Sequence, residues 1–232
     1  MRQVVLDTET TGLDPKLGHR IIEVACVELF NRRLTNIHFH RYVNPERDID
    51  EGAQAVHGIS REQLEDKPVF GKIAGELIEF VRGAELVIHN AAFDVGFLNH
   101  EFALLDLPPL DTVCTGVLDT LKLAREIRPG KRNNLDALCE FFGVNNARRT
   151  LHGALLDAEL LADVYLAMTR GQDSLIVEVQ ATRAEVQAAA IKRGELKLKV
   201  VRASAAEIAA HEVQLADIDQ ASGGALWRRT LS

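Results

Sequence analysis

The stretch that most constrains the fold is Val4-Val5-Leu6-Asp7-Thr8-Glu9-Thr10-Thr11-Gly12. A short apolar run of this kind reads as a buried β-strand, and it ends in two acids spaced i, i+2. Side chains alternate along a strand, so Asp7 and Glu9 share one face. Two carboxylates aimed side by side from a core strand are costly unless a positive charge lies between them. A hard divalent cation, which takes oxygen ligands, meets that need. Thr10, Thr11 and Gly12 follow with hydroxyls and flexible backbone where a ligand could approach. A lone Asp-x-Glu is more often an acidic strand end facing solvent, so the pair gains meaning only if later segments bring more acids to it.

The rest of the chain supplies the frame for such a meeting. Asp14-Pro15 and Gly18 mark a turn, and Ile21 to Phe30 and Leu34 to Val43 read as hairpin partners of the first strand. Asn44-Pro45 breaks the sheet, and the polar, helix-prone segment 49–64 is interrupted by Val56-His57-Gly58-Ile59. Phe70 to Val81 has a helical period closed by Gly83. Leu86-Val87-Ile88 is a central strand, Phe93 to Leu105 a helix, and Thr112 to Leu118 a further strand leading into a helix through Ile127. Asn134 to Phe142 and Ala154 to Met168 are helices stopped by Gly143 and Gly171. Three meandering strands followed by alternating helices and strands predict an α/β sandwich around a mixed five-stranded sheet. That domain spans residues 1–170.

Residues 171–195 read as a linker, in which Glu178 to Arg193 is Ala-rich and polar with no strong apolar stripe, consistent with a linker or a marginal helix. In 196–232, Leu196 to Val200 alternates with period two, and Ser204-Ala205-Ala206-Glu207 is a capping box opening a helix with Ile208, Leu215 and Ile218 on one side. Gly223-Gly224 precedes a terminal Leu226-Trp227-Arg228-Arg229. Apolar anchors with too little core of their own make this a docking tail.

Composition excludes several classes. An apolar content of 47% is enough for a real core, so global disorder is unexpected. No stretch approaches the roughly 18 apolar residues of a membrane span, and the N-terminus enters a strand rather than a signal peptide. Cys26, Cys114 and Cys139 are scattered in apolar segments without metal-type spacing and fit the core of a cytoplasmic protein. A net charge of −7 argues against a tight, sequence-specific duplex binder. It leaves room for an enzyme that meets nucleic acid through a small site.

Two further acids lie on apolar stripes. Asp94 has Phe97, Leu98 and Phe102 at i+3, i+4 and i+8; Asp157 has Leu160, Leu161, Val164 and Met168 at i+3, i+4, i+7 and i+11. An unpaired buried charge is very costly, so both need a partner. For Asp94 alone, a helix-start carboxylate favouring the macrodipole is an equal alternative. It accounts poorly for Asp157, Asp94, Asp7 and Glu9 together. Glu159 and Asp163 fall on the polar side of their helix. His152 lies five residues before Asp157, an advance of about 500° that would part them on one helix. His152 therefore sits in the preceding loop, with Gly153 as its joint, where it is a general-base candidate.

Asp7-Thr8-Glu9-Thr10-Thr11-Gly12, His89-Asn90-Ala91-Ala92-Phe93-Asp94 and His152-Gly153-Ala154-Leu155-Leu156-Asp157 together resemble, in order and spacing, the three motifs of the DEDDh 3′→5′ exonucleases. The resemblance covers residues 1–170 and implies a ribonuclease H-like fold. It also implies two-metal hydrolysis of a 3′-terminal phosphodiester. Asp7 would bridge two Mg²⁺ or Mn²⁺ ions about 3.5–4 Å apart. Glu9 and Asp157 would complete one ion, Asp94 would help hold the other, and His152 would take a proton from the attacking water. The substrate-binding set is then Asp7, Glu9, Asp157, Thr10, Thr11, Gly12, Val56 and His57. His89 is expected to be a structural hydrogen bonder. Arg128, Lys131, Arg132, Arg148 and Arg149 could touch phosphates, but charge runs are usually only solvated, so they stand outside the site.

The tail is similar to the C-terminal region of the epsilon proofreading subunits of bacterial DNA polymerase III, which in that family binds the polymerase alpha subunit. Ile208, Leu226 and Trp227 are the anchors that this likeness implies. Gln172-Asp173-Ser174-Leu175-Ile176-Val177 is similar to peptides that engage the sliding clamp, through Gln172, Leu175 and Val177. The substrate implied is the 3′ end of single-stranded or mispaired DNA, within a bacterial replisome. Two readings stay open beside it: a DEDDh ribonuclease trimming RNA ends, which needs no docking tail, and a mainly structural subunit bridging polymerase and clamp.

Overall fold

The computed structural model describes residues 1–147, 149, 151–170 and 202–222. The chain divides into two units, Met1–Ile176 and Val177–Ser232. In the first, five strands form one sheet in the order β3-β2-β1-β4-β5. They are β1 (Arg2–Thr10), β2 (Ile21–Phe30), β3 (Arg33–Tyr42), β4 (Glu85–Ile88) and β5 (Gly116–Asp119). β1 and β3 run antiparallel to β2, whereas β4 is parallel to both β1 and β5. The helices are α1 (Glu51–His57), α2 (Phe70–Val81), α3 (Ala92–Ala103), α4 (Thr120–Ile127), α5 (Leu135–Phe142) and α6 (Ala154–Met168). The mixed five-stranded sheet flanked by helices is the one the sequence predicts.

Alternation along β1 creates two cores. Val4 and Leu6 pack with α2 and α3 residues such as Leu77, Phe97 and Phe102 on one face. Val5 packs with Leu138, Leu161 and Val164 of α5 and α6 on the other. Fully burying a side chain such as Phe97 contributes about 1.5–3 kcal/mol. The hairpin joining β2 and β3 is a two-residue turn at Asn31 and Arg32, with φ of 48° and 61°. Both residues lie in the left-handed region that such tight hairpins demand. Arg32 then reaches across to Thr169 Oγ1 and the Leu166 carbonyl at the end of α6, at 2.7 and 3.2 Å. Glu101, buried in α3, accepts a two-pronged ion pair from Arg20 and the amide of Ile21.

One strand differs from expectation. The segment from Thr112 onward begins as a 3₁₀ turn, Leu110–Thr112, and pairing starts only at Gly116. The amides of Val113 and Cys114 bond back to the Leu110 carbonyl, so they are not free to join a ladder. The three cysteines are unbridged and buried.

In the second unit the helix α7 (Ala205–Ser222) carries the expected capping box. The Ser204 amide and hydroxyl both donate to the Glu207 carboxylate, and the Glu207 amide donates to Ser204 Oγ. Leu215 is buried, while Ile208 and Ile218 are exposed. The expected clamp peptide, linker, 196–200 strand and terminal Leu226-Trp227 lie outside the described residues, so of the proposed anchors only Ile208 is placed.

Candidate active site

The site forms where β1 ends. Asp7 and Glu9 continue the face that packs on α6, and Thr8 points to the α3 face. Asp94, near the start of α3, closes that side: its Oδ1 accepts from the Thr8 amide at 3.0 Å and from Thr8 Oγ1 at 2.7 Å. Asp157, in the first turn of α6, closes the other. Two helix starts thus converge on the C-terminal end of a strand with a parallel neighbour, the usual position for ligands in α/β sheets.

Two residues that the sequence reading left aside are part of this arrangement. Glu23 on β2 is the ladder partner of Glu9 and is buried. Its Oε1 lies 2.7 Å from His40 Nε2, and its Oε2 accepts the Ala154 amide at 3.1 Å. It therefore caps α6, whose N-cap Gly153 has no side chain to do so. The signal was present as an acid inside the apolar run Ile21-Ile22-Glu23-Val24-Ala25.

The second is Arg149, expected to be a solvated cation outside the site and instead turned into it, with its side chain only 6% exposed. Its Nε donates to Asp157 Oδ1 at 2.6 Å and its Nη2 to Asp157 Oδ2 at 2.7 Å. Its Nη1 donates to Asp136 Oδ2 at 2.7 Å. A loop arginine beside another arginine carries no periodicity that would reveal this.

His152 stands in the loop before α6, as expected, with a half-exposed side chain and Nδ1 3.6 Å from Asp157 Oδ2. Its amide bonds the Val56 carbonyl at 3.2 Å, tying the loop to α1. His89 bonds Thr120 Oγ1 at 3.0 Å, a structural contact as predicted.

The electrostatics show what the cluster lacks. Asp7 is pushed well above the usual carboxylate range by burial, then by Asp94, Glu9 and Asp157. Burial, with Glu23, Asp157 and Asp94 adding to it, raises Glu9 to about 8. Burial raises Asp94 to about 7 against the opposing Thr8 hydrogen bonds. Among the described residues no cation pairs with Asp7. Ligand atoms of Glu9, His152 and Asp157 lie within 4.8 Å of one another. Oxygen-rich donors around an uncompensated negative centre suit a hard divalent cation, so the residues present fit the metal that the motifs imply.

A pH effect follows for the metal-free protein. Groups with raised folded-state values stabilise the fold below their unfolded values, and that contribution is lost as pH rises through the folded ones. With Asp94 raised from 3.8 to about 7 and Glu9 from 4.5 to about 8, the metal-free melting temperature should fall as pH rises from about 4.5 and level off above about 8. Glu9→Gln should flatten the slope. A thermal scan across that window checks it, and a rising melting temperature would contradict the assignment.

Beside Glu9 lies a cavity of about 480 Å³ lined by Thr10, Gly12, Leu13, Ala53, Val56, His57 and Phe93. His57 Nδ1 accepts the Ile59 amide at 3.0 Å, which leaves the ring hydrogen on Nε2. That buried Nε2 has no hydrogen-bond partner among the described residues. Burial lowers the His57 pKa, keeping the ring neutral. Thr10 Oγ1 donates to the Gly12 carbonyl at 2.6 Å. Thr11 departs from expectation: it is fully buried, its hydroxyl accepting the Arg20 amide at 3.0 Å and lying 3.1 Å from His19 Nδ1. Its hydroxyl shapes the loop rather than facing a ligand. Gly12 is required for close approach, since a Cβ there would lie 2.3 Å from the His19 ring.

Residues 4–165 match the sequence model described as "Exonuclease". The DNA polymerase III subunit epsilon of Escherichia coli K12 is 52% identical over 98% of this chain and 97% of its own. The chain belongs to the exonuclease family, among the DNA polymerase III epsilon subunits. Another epsilon subunit, from Pasteurella multocida, is 49% identical over 100% of this chain and 95% of its own. Among solved structures, exonuclease X in complex with 5′-overhanging duplex DNA is 28% identical with a TM-score of 0.56, covering 73% of this chain and 92% of that one. E. coli exonuclease I with a dT13 oligonucleotide shares the fold at a TM-score of 0.65 and 17% identity, over 82% of this chain and 45% of that one. The sheet and helices are thus those of the ribonuclease H-like exonucleases. Among the described residues, no helix is long and apolar enough to cross a membrane.

Proposed function

We propose that this epsilon-family chain is the proofreading exonuclease of a replicative DNA polymerase, removing nucleotides from single-stranded or mispaired 3′ ends with the help of two Mg²⁺ or Mn²⁺ ions. The observation that carries the reading is the convergence of Asp7, Glu9, Asp94 and Asp157, with His152 beside them, at the edge of a cavity of nucleotide size. Asp7, Glu9, Asp157 and Asp94 would hold the ions. Bound there, the ions supply a water of lowered pKa and positive charge for the scissile phosphate and the departing 3′-oxygen.

The protein's own groups do the rest. The terminal nucleotide enters the cavity, where Val56 and Phe93 offer apolar surface and His57 Nε2 offers a donor for its sugar or base. Thr10 and Gly12 bring backbone close to the terminal sugar. His152, held in its loop by the Val56 carbonyl, takes the proton from the attacking water. An acidic chain with few local cations binds single strands weakly and salt-sensitively. Melted, mispaired ends are therefore favoured over paired ones.

The tail would supply the missing affinity. Ile208, Leu226 and Trp227 would dock on the polymerase alpha subunit, and Gln172, Leu175 and Val177 on the sliding clamp. Tethering raises the local concentration of primer ends to about the millimolar range. Two measurements test the reading. Purified protein should release mononucleotides from single-stranded DNA only with a divalent cation. Co-elution with the large polymerase subunit should be lost on deleting residues 196–232 while hydrolysis of free single strands is retained. Undiminished co-elution of the truncated chain would refute the docking role.

A further inference from the structure

One cation in the site is not required by the chemistry above. The Arg149 side chain is 6% exposed and holds both oxygens of Asp157, itself 5% exposed. Its Nη2 also lies 3.1 and 3.2 Å from the Nδ1 and Nε2 of His152. One nitrogen nearly equidistant from both ring nitrogens lies across the ring rather than along either lone pair. The guanidinium therefore lies against the imidazole, which stays half-exposed to solvent. Glu9, His152 and Asp157 are also the residues whose ligand atoms come within 4.8 Å of one another. Arg149 sits against two of the three, and its charge lowers the pKa of the third, Glu9. A guanidinium and a divalent cation thus draw on the same group of side chains.

The outer end of Arg149 has a partner that belongs to no motif. Nη1 bonds Asp136 Oδ2, and Asp136 Oδ1 accepts from Asn146 Nδ2 at 3.1 Å. Asp136 stands in the first turn of α5 with its side chain 48% exposed. A swing that keeps Nη1 on Asp136 while freeing Asp157 and His152 moves the guanidinium toward solvent. The buried Asp157 carboxylate it leaves then needs the incoming cation as its partner.

We propose that Arg149 is a built-in stand-in for the metal: it neutralises Asp157 and holds against His152 while the cation is away, and it withdraws along Asp136 when the cation binds. The inference rests on the exonuclease reading, because the cation concerned is the one used in hydrolysis. A buried carboxylate pair of this kind is strongly destabilised when one partner is removed. Filling the place with arginine avoids that cost, and the cation must displace the arginine to enter. The site therefore trades metal affinity for integrity without metal.

The test is a comparison of wild type with Arg149→Gln by Mn²⁺ titration calorimetry and by melting with and without metal. Losing the buried pair should lower the metal-free melting temperature by about 5 °C. Losing the competitor should tighten Mn²⁺ binding by about three- to ten-fold, with a larger metal-induced rise in melting temperature. Arg149→Lys keeps the charge without the fork; it should tighten binding by about two-fold and carries the test if the glutamine variant does not fold. In ¹⁵N-labelled wild type, the Arg149 Nε–H resonance, assigned by its loss in Arg149→Lys, should shift and exchange faster when Mg²⁺ is added. Unchanged or weaker Mn²⁺ binding in the variants, or an Nε–H signal indifferent to Mg²⁺, would overturn the proposal and make Arg149 a permanent orienting partner of Asp157. A wild type that neither binds Mn²⁺ nor cleaves single strands would instead overturn the exonuclease reading beneath it.

Discussion

Replacing Asp7 by asparagine is expected to cut hydrolysis of single-stranded DNA by about 10³-fold or more while raising the metal-free melting temperature by about 3 °C. The two signs come from one cause. Asp7 is surrounded by Asp94, Glu9 and Asp157, and its charge is disfavoured by burial and by each of them. Asparagine removes that repulsion and keeps the shape, so the empty site relaxes. The same repulsion is what makes the site attract a cation, so the variant should also lose most of its metal-induced stabilisation. Activity of functional sites is often traded against stability in this way. Asp157→Ala should be equally inactive but less stable, because it strips Arg149 of its main partner. Near-normal turnover of either variant at saturating Mg²⁺ would refute the assignment of the acids.

His152→Gln is expected to lower kcat by about 10²–10³-fold with KM changed little, the effect of losing a general base. The side chain is 46% exposed and makes contact with Asp157 and Arg149, but nothing in the core rests on it. Melting temperature and Mn²⁺ affinity should therefore move far less than in the Asp7 variant. An equal loss in KM and in folding stability would point to a structural role for the loop instead.

Much of the fold could be read from local pattern. The helix over Phe70–Val81 and that over Ala154–Met168 agree with their predicted bounds, because a helical period with a glycine stop is written in adjacent residues. The Ser204–Glu207 capping box is likewise local. The stretch after Pro108-Pro109 carries no such local signal, since apolar residues like Val113 and Cys114 suit a turn and a strand alike.

The sequence by itself determined the acids: Asp7 and Glu9 by the two-residue strand period, Asp94 and Asp157 by their places on apolar helix stripes, and His152 by the loop before α6. Only the tertiary structure decided what surrounds them. Glu23 meets Glu9 through the register of two strands, Arg149 reaches Asp157 through the path of an irregular loop, and Thr11 turns its hydroxyl inward to His19 and Arg20. Such contacts depend on where distant segments come to rest, and no periodicity along the chain encodes them. The strand that ends in Asp7 and Glu9 has its charge from the sequence, and the arginine on the neighbouring Asp157 comes from the fold.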